Sequence, residues 1–419
     1  MAVPSHIRRT PQQLSGRALA LPGSLLHEIH ARVVDGNRAG VIPLHVGEPG
    51  YVPPAGVAAA IQEAHVERRC GYTSAEGLLE LREHLAARAL RRYGAGGDAA
   101  RIVATPGSTH ALLGIMIATC DPGDEILLPR IHWPLYVQAA ALARVRPRFY
   151  DLAPDGTVDP ERVAAAVGPA SRLLVVNSPA NPTGTVCPHD TLETLVSLAR
   201  ECGLWFIHDE AYEDFVFGGE HASAVTVERD VPESARCVFG VHSFSKSYAM
   251  TGHRLGYLIA PSVAAAAAVR NIQQGTIVAP STPVQYAGIA ALSAAEYLST
   301  VHAFVREGRD VGLAPALERG LLASAPPAGW YAMLDVAHTG LSSVVVAERL
   351  LDEVEVCVAP GAAFVPAGTP DPQTVRVAFC GDPATVREGV ARICEWVDLE
   401  MNRSGGSERF RAPHARGAA

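Results

Sequence analysis

Lysine is nearly missing from this sequence: of 35 basic residues in 419, one is Lys246 and the others are arginine. Chemistry that needs a side-chain amine must therefore use Lys246. A phosphate-binding loop of the Gly-Lys-Ser/Thr type is excluded, because Ser245 stands before that lysine. A coding bias towards arginine, visible also in the alanine-rich runs, accounts for the lost lysines but not for the one that is kept. Positive charge is short as well, with 35 basic against 43 acidic residues and a net charge of −8. That is the wrong sign for a chain whose partner is nucleic acid or an anionic membrane surface. The eight cysteines (70, 120, 187, 202, 237, 357, 380 and 394) form no C-x-x-C pair, so neither a zinc ribbon nor a thioredoxin-type motif can be built locally. Reduced, buried thiols of a cytoplasmic protein are expected. No apolar run reaches the roughly 18 residues of a membrane span. Arg8 and Arg9 are followed by Pro11, Gln12, Gln13 and Ser15 where a secretory signal needs an apolar stretch. The reading is a soluble, unexported protein.

What is present is an ordinary globular balance, 48% hydrophobic and 19% charged. At about 150 residues per domain the length suggests two or three domains. No internal repeat is found. From about residue 101 to 260 short β-branched runs alternate with helix-period segments. Strands are predicted at 101–104, 125–128, 146–150, 173–176, 204–208, 238–241 and 255–259, with helices at 109–118, 190–202 and 263–273. Short apolar strands separated by helices predict an α/β domain with a mostly parallel sheet covered on both faces. The segments 22–39 and 296–322 read as mainly helical, and 329–397 mixes short strands with a closing helix. The expected organisation is a large domain over 46–295, a smaller α+β domain built from 1–45 and 296–400, and a disordered tail over 401–419.

Two motifs fail on context. Gly94-Ala95-Gly96-Gly97-Asp98-Ala99 has the letters of a dinucleotide fingerprint but follows a helix and precedes a strand, the reverse of what that motif requires. His27-Glu28-Ile29-His30 spaces its histidines three apart rather than the four of a zinc protease, so it reads as a polar helix face and no metal site is expected.

Three segments survive, each directly after a predicted strand: Asn177-Ser178-Pro179-Ala180-Asn181-Pro182-Thr183-Gly184, then His208-Asp209-Glu210-Ala211-Tyr212, then the stretch from Ser243 to Tyr257 containing Lys246 and Arg254. Loops at the carboxyl ends of parallel strands are where an open α/β sheet gathers ligand groups. A partly desolvated Lys246 is a nucleophile towards an aldehyde, forming a Schiff base. Asp209 ends a strand, where a carboxylate is costly to bury without a cationic partner. A protonated pyridine nitrogen is such a partner, and that pairing lets pyridoxal phosphate act as an electron sink. Ser243, Ser245 and Arg254 offer donors to a phosphate, and Gly107-Ser108-Thr109 opens a helix whose free N–H groups form a second anion site.

With these motifs the chain resembles a class I/II aminotransferase, a fold-type I pyridoxal phosphate enzyme, over about residues 44–379. The resemblance implies that Lys246 carries the Schiff base and then moves a proton as general acid/base, and that Asp209 keeps the ring nitrogen protonated. It implies that Tyr212 and Asn181 hydrogen-bond the phenolic oxygen, that Ser108, Thr109, Ser243 and Arg254 hold the phosphate, and that Trp133 stacks on the ring. Arg376, in Val375-Arg376-Val377-Ala378-Phe379, and Gly47, in Val46-Gly47-Glu48-Pro49, would meet the substrate α-carboxylate. Tyr72 matches a tyrosine donated to the neighbouring subunit's phosphate, which implies a homodimer. The substrates implied are an amino acid and a 2-oxo acid. Two departures stand out: His253 replaces the bulky residue usual before the phosphate arginine, and no lysine follows Gly107 to read a distal carboxylate. Aspartate specificity is therefore doubtful, and a neutral or non-acidic donor is preferred. A Cβ or Cγ lyase, or a cyclising enzyme, would use the same residues, and a non-catalytic relative that binds cofactor is a further alternative.

Overall fold

The computed structural model describes residues 14–35, 38 and 40–403. The strands are β1 (Ile42–Pro43), β2 (Ile102–Thr105), β3 (Glu125–Pro129), β4 (Arg146–Tyr150), β5 (Ser171–Asn177), β6 (Trp205–Asp209), β7 (Val238–Ser243), β8 (Gly256–Ile259), β9 (Tyr331–Asp335), β10 (Val356–Cys357), β11 (Ala359–Pro360) and β12 (Thr374–Ala378). Seven of them form one sheet in the order β2-β8-β7-β6-β5-β3-β4. All neighbours in it run parallel except β8, which is antiparallel to both β2 and β7. Every strand expected between 101 and 260 is present.

Period-two alternation explains how the sheet is covered on both faces. Val103, Ile126, Leu173, Val175, Ile207 and Leu258 pack with the helices Ser108–Thr119, Leu135–Ala143 and Val263–Ile277. Their neighbours Ile102, Leu127, Leu174, Val176, Phe206 and Ile259 pack on the other side, against Leu79–Tyr93, His189–Glu201 and Thr282–Leu292. Leu79–Tyr93 ends at Gly94, whose φ of 63° is the left-handed cap that glycine takes readily, so the Gly94 segment is a helix stop and a loop.

A third core gathers Ile29 and Leu44 with Val301, Val305, Trp330, Leu334, Val346, Val375, Val377 and Ile393. It joins the helices Leu25–Val34, Tyr297–Asp310, Ser343–Glu353 and Pro383–Arg403 to an antiparallel sheet β11-β12-β9, and β1 pairs in parallel with β10 beside it. Tyr212 and Phe215, just after β6, belong to this core and so connect it to the large sheet.

Two expectations change, and a third, the mainly helical stretch 296–322, is met by two helices. The closing helix runs through Met401–Arg403, so the expected tail does not begin at 401, and residues 404–419 lie outside the described residues, as do 36, 37 and 39 of the expected helical stretch. The stretch 296–322 is two helices, Tyr297–Asp310 and Ala314–Glu318, because Pro315 lacks an N–H and fits only the first turn of a new helix. All eight cysteines are free, but Cys70 and Cys202 are exposed rather than buried. Among the described residues no single helix is long and apolar enough to cross a membrane.

Candidate active site

The parallel strands β5, β6 and β7 end side by side, delivering Asn177, Asp209 and Ser243 to one edge of the sheet. Above that edge lies a cavity of about 410 Å³. Eleven of the twelve residues picked out from the sequence line it: Gly47, Ser108, Thr109, Trp133, Asn181, Asp209, Tyr212, Ser243, Lys246, Arg254 and Arg376. Tyr72 is the exception, 91% exposed and away from the cavity of its own chain.

Lys246 sits on the one-turn helix Phe244–Ser247, which Ser243 caps by accepting the Ser245 N–H at 3.1 Å. Its Nζ donates to the Gly47 carbonyl at 2.9 Å and lies 4.8 Å from the centre of the Trp330 ring. Tyr51 donates to the Lys246 carbonyl at 2.8 Å, fixing the backbone beneath the amine. Among the described residues no carboxylate pairs with Lys246, Arg254 or Arg376, whereas most other arginines near an acid do form ion pairs.

Asp209 is 3% exposed and accepts from the Tyr136 hydroxyl at 2.6 Å and the Ala211 N–H at 3.2 Å. Burial pushes its carboxyl up, while those two hydrogen bonds and the buried His208 and His242 pull the other way. Arg376 is also 3% exposed. Its Nη1 donates to Asn181 Oδ1 at 2.9 Å and its Nη2 to the His45 carbonyl at 2.5 Å, while Nε has no partner. Burial lowers the pKa of this guanidinium, which packs 4.0 Å from the Tyr331 ring centre and 4.6 Å from that of Phe364. Among the described residues the site thus buries an acid and a guanidinium that each form no ion pair.

The far end of the cavity is built by close backbone approach. A Cβ on Gly107 would stand 2.6 Å from Arg254 Nη2, and one on Gly256 would stand 2.6 Å from the Ser108 nitrogen. Gly107 takes φ 79° as the N-cap of Ser108–Thr119, so the first N–H groups of that helix, which have no intrahelical acceptor, open beside the guanidinium. Arg254 itself adopts φ 56°, rare for a side chain with Cβ, and donates to the Thr251 carbonyl at 2.8 Å and to Ser245 Oγ at 3.4 Å. Hydroxyls of Ser108, Thr109, Ser243 and Ser245 surround this cradle, which is the chemistry of a phosphate site.

Several residues of the site escaped the sequence reading. Tyr136 is the second residue of the helix Leu135–Ala143 that follows Trp133, and the two rings meet edge to face at 5.5 Å. Tyr331, on β9, accepts from the Tyr212 hydroxyl at 3.1 Å. His27 and His30, read as a polar helix face, line the cavity with His45.

The family model for aminotransferase class I and II matches residues 39–393. The aspartate/prephenate aminotransferase of Thermus thermophilus is 33% identical over 388 residues, covering 91% of this chain and 97% of its own. The arginine–pyruvate transaminase of Pseudomonas aeruginosa is 32% identical over 386 residues, covering 90% and 95%. Among solved structures, the Thermus thermophilus aspartate aminotransferase with maleate superimposes with a TM-score of 0.84 at 31% identity, covering 92% of this chain and 99% of that one. The chain therefore belongs to the class I and II aminotransferases, transferases of the fold-type I architecture that depend in general on pyridoxal phosphate.

Proposed function

We propose that this cavity holds pyridoxal phosphate and that the enzyme uses it to move the amino group of an amino acid to a 2-oxo acid in two half-reactions. The observation that carries the reading is a set of complementary groups in one cavity: the chain's only lysine, a buried acid and two guanidiniums, none of them in an ion pair among the described residues. When bound, pyridoxal phosphate supplies an aldehyde to receive the amino group and a pyridine ring into which electrons can move from the substrate Cα.

Lys246 Nζ is the side-chain amine that would engage the aldehyde and, when free, would act as the base and acid for the proton at the substrate Cα. Asp209, which accepts from the Tyr136 hydroxyl, would face the ring nitrogen and keep a proton on it. Tyr212 and Asn181 would donate to the phenolic oxygen, and Trp133 would cover the ring. Ser108, Thr109, Ser243 and Arg254 bind the phosphate. Arg376 offers its guanidinium to the substrate α-carboxylate, with the backbone at Gly47 on the other side. The three cores support a division into a large domain over 46–295 and a smaller one from 1–45 and 296–400. We further propose a soluble cytoplasmic homodimer in which Tyr72 reaches the phosphate of the neighbouring subunit. Elimination on the same scaffold finds no support among relatives named as aminotransferases.

The visible spectrum of purified protein, mixed with a panel of amino acids, tests this. A yellow band that bleaches with one equivalent of keto acid formed is expected, and borohydride should fix a pyridoxyl group on the Lys246 peptide. Lys246→Ala should lose that label and at least about three orders of magnitude of turnover. Protein that cannot be reconstituted with the cofactor, or a variant that keeps its turnover, overturns the reading. Release of ammonia in place of transfer reassigns the reaction to a lyase.

A further inference from the structure

In the antiparallel pair of β9 and β12, Arg376 stands opposite Met333 and Ala378 opposite Tyr331, so Tyr331 is the diagonal neighbour of Arg376 on one face of the sheet. The Arg376 Cζ lies 4.0 Å from the centre of the Tyr331 ring. The hydroxyl at the end of that ring reaches Gly47, where an added Cβ would collide with it, so the oxygen rests directly against the Gly47 backbone. Tyr331 is 3% exposed and lines the cavity. Three groups from separate elements therefore meet at one place: the guanidinium of β12, the backbone that follows β1, and the phenol of β9.

A tyrosine hydroxyl has one hydrogen to give and can also accept. Tyr331 accepts from Tyr212 at 3.1 Å, and its own hydrogen has no acceptor among the described residues. Arg376 Nε, beside the same ring, is also buried without a partner. Buried donors are costly to leave unspent, so two of them side by side mark the place of an acceptor. An ionised carboxylate is acceptor-only and has lone pairs enough for a guanidinium and a phenol together. If the phenolic oxygen of the cofactor drew the Tyr212 hydrogen to itself, Tyr331 could turn back on Tyr212, but an anion is the stronger acceptor and would hold the Tyr331 hydrogen.

We propose that the Tyr331 hydroxyl is a substrate-binding group that donates to the α-carboxylate beside Arg376, for the amino acid and the 2-oxo acid alike. This rests on the reading of Arg376 as the α-carboxylate site. Propionate, a carboxylate with no amino group to react, is the probe, and its binding to the holoenzyme is followed by calorimetry. Tyr331→Phe removes the hydroxyl and keeps the ring over Arg376. It should weaken propionate about tenfold or more, the effect of losing a hydrogen bond to a charged acceptor. KM for the preferred amino acid should rise by a similar factor with kcat within about threefold of native, and retention of pyridoxal phosphate should not change. Propionate binding unchanged by Tyr331→Phe, with Arg376→Gln still abolishing it, overturns this proposal alone. Equal weakening of propionate and pyridoxal phosphate in Tyr331→Phe also overturns it, because the hydroxyl then supports the fold of the site and not the substrate. Propionate that binds Arg376→Gln as well as native protein removes the α-carboxylate from this end of the cavity, and both readings fall together.

Discussion

At the scale of single residues the site is governed by charges held out of water without opposite charges beside them. Arg376 has hydrogen bonds to neutral oxygens alone, so a bound carboxylate is what would complete its shell. A bidentate charge-assisted contact contributes about 3 kcal/mol, so Arg376→Gln should lower kcat/KM for α-amino acids about a hundredfold, chiefly through KM. Steady-state kinetics check this, and an unchanged KM would remove Arg376 from the substrate. His45 gives a prediction in pH. Its pKa is about 4 in the fold against 6.5 for a free imidazole, with burial the first cause and His30 and Arg376 the others. The unfolded ring takes up a proton below its ordinary pKa, whereas the folded ring resists until about pH 4. Stability is therefore lost as pH falls across that interval, by up to about 3 kcal/mol, and nothing is lost above it. Urea unfolding at pH 7 and pH 4.5 should show His45→Phe losing less stability on acidification than the native protein.

At the scale of elements, one helix packs against the segment after β12 with no room for a side chain. A Cβ on Gly308, in the helix Tyr297–Asp310, would stand 2.1 Å from the Phe379 carbonyl just beyond β12. Gly308→Ala should cost about 1–3 kcal/mol through overpacking, visible as a thermal midpoint lowered by several degrees. Six of the seven strands of the large sheet were legible as short, mainly apolar runs, the edge strand β4 (Arg146–Tyr150) being the exception with two arginines and a proline, and the three motif segments were legible because each follows one of the six. What the sequence did not disclose depends on long-range placement. Tyr136 is an ordinary aromatic of an apolar helix until the fold lays it over Asp209. His30 and His45 are fifteen residues apart, and their meeting depends on how the helix Leu25–Val34 packs near β11. The two-residue strands β1, β10 and β11 carry too few residues for any period to register.

At the scale of the whole molecule, Tyr72 is the informative residue, because a side chain 91% exposed serves no cavity of its own chain. Light scattering on the eluted protein should give twice the chain mass. Tyr72→Phe should weaken retention of pyridoxal phosphate about tenfold, a lost hydrogen bond being worth about 1.5 kcal/mol. A fully active monomer would remove the need for a second subunit. One further property follows from the reversed strand β8. Ser243 pairs with Gly256 across β7 and β8, and the Phe244 N–H reaches the Leu255 carbonyl at 3.1 Å, so the loop bearing Lys246 and Arg254 is tied shut at its neck. Amine and guanidinium thus belong to one short closed loop, and the distance between them is a gauge: a molecule with an aldehyde at one end and an anion at the other is admitted or refused by its length.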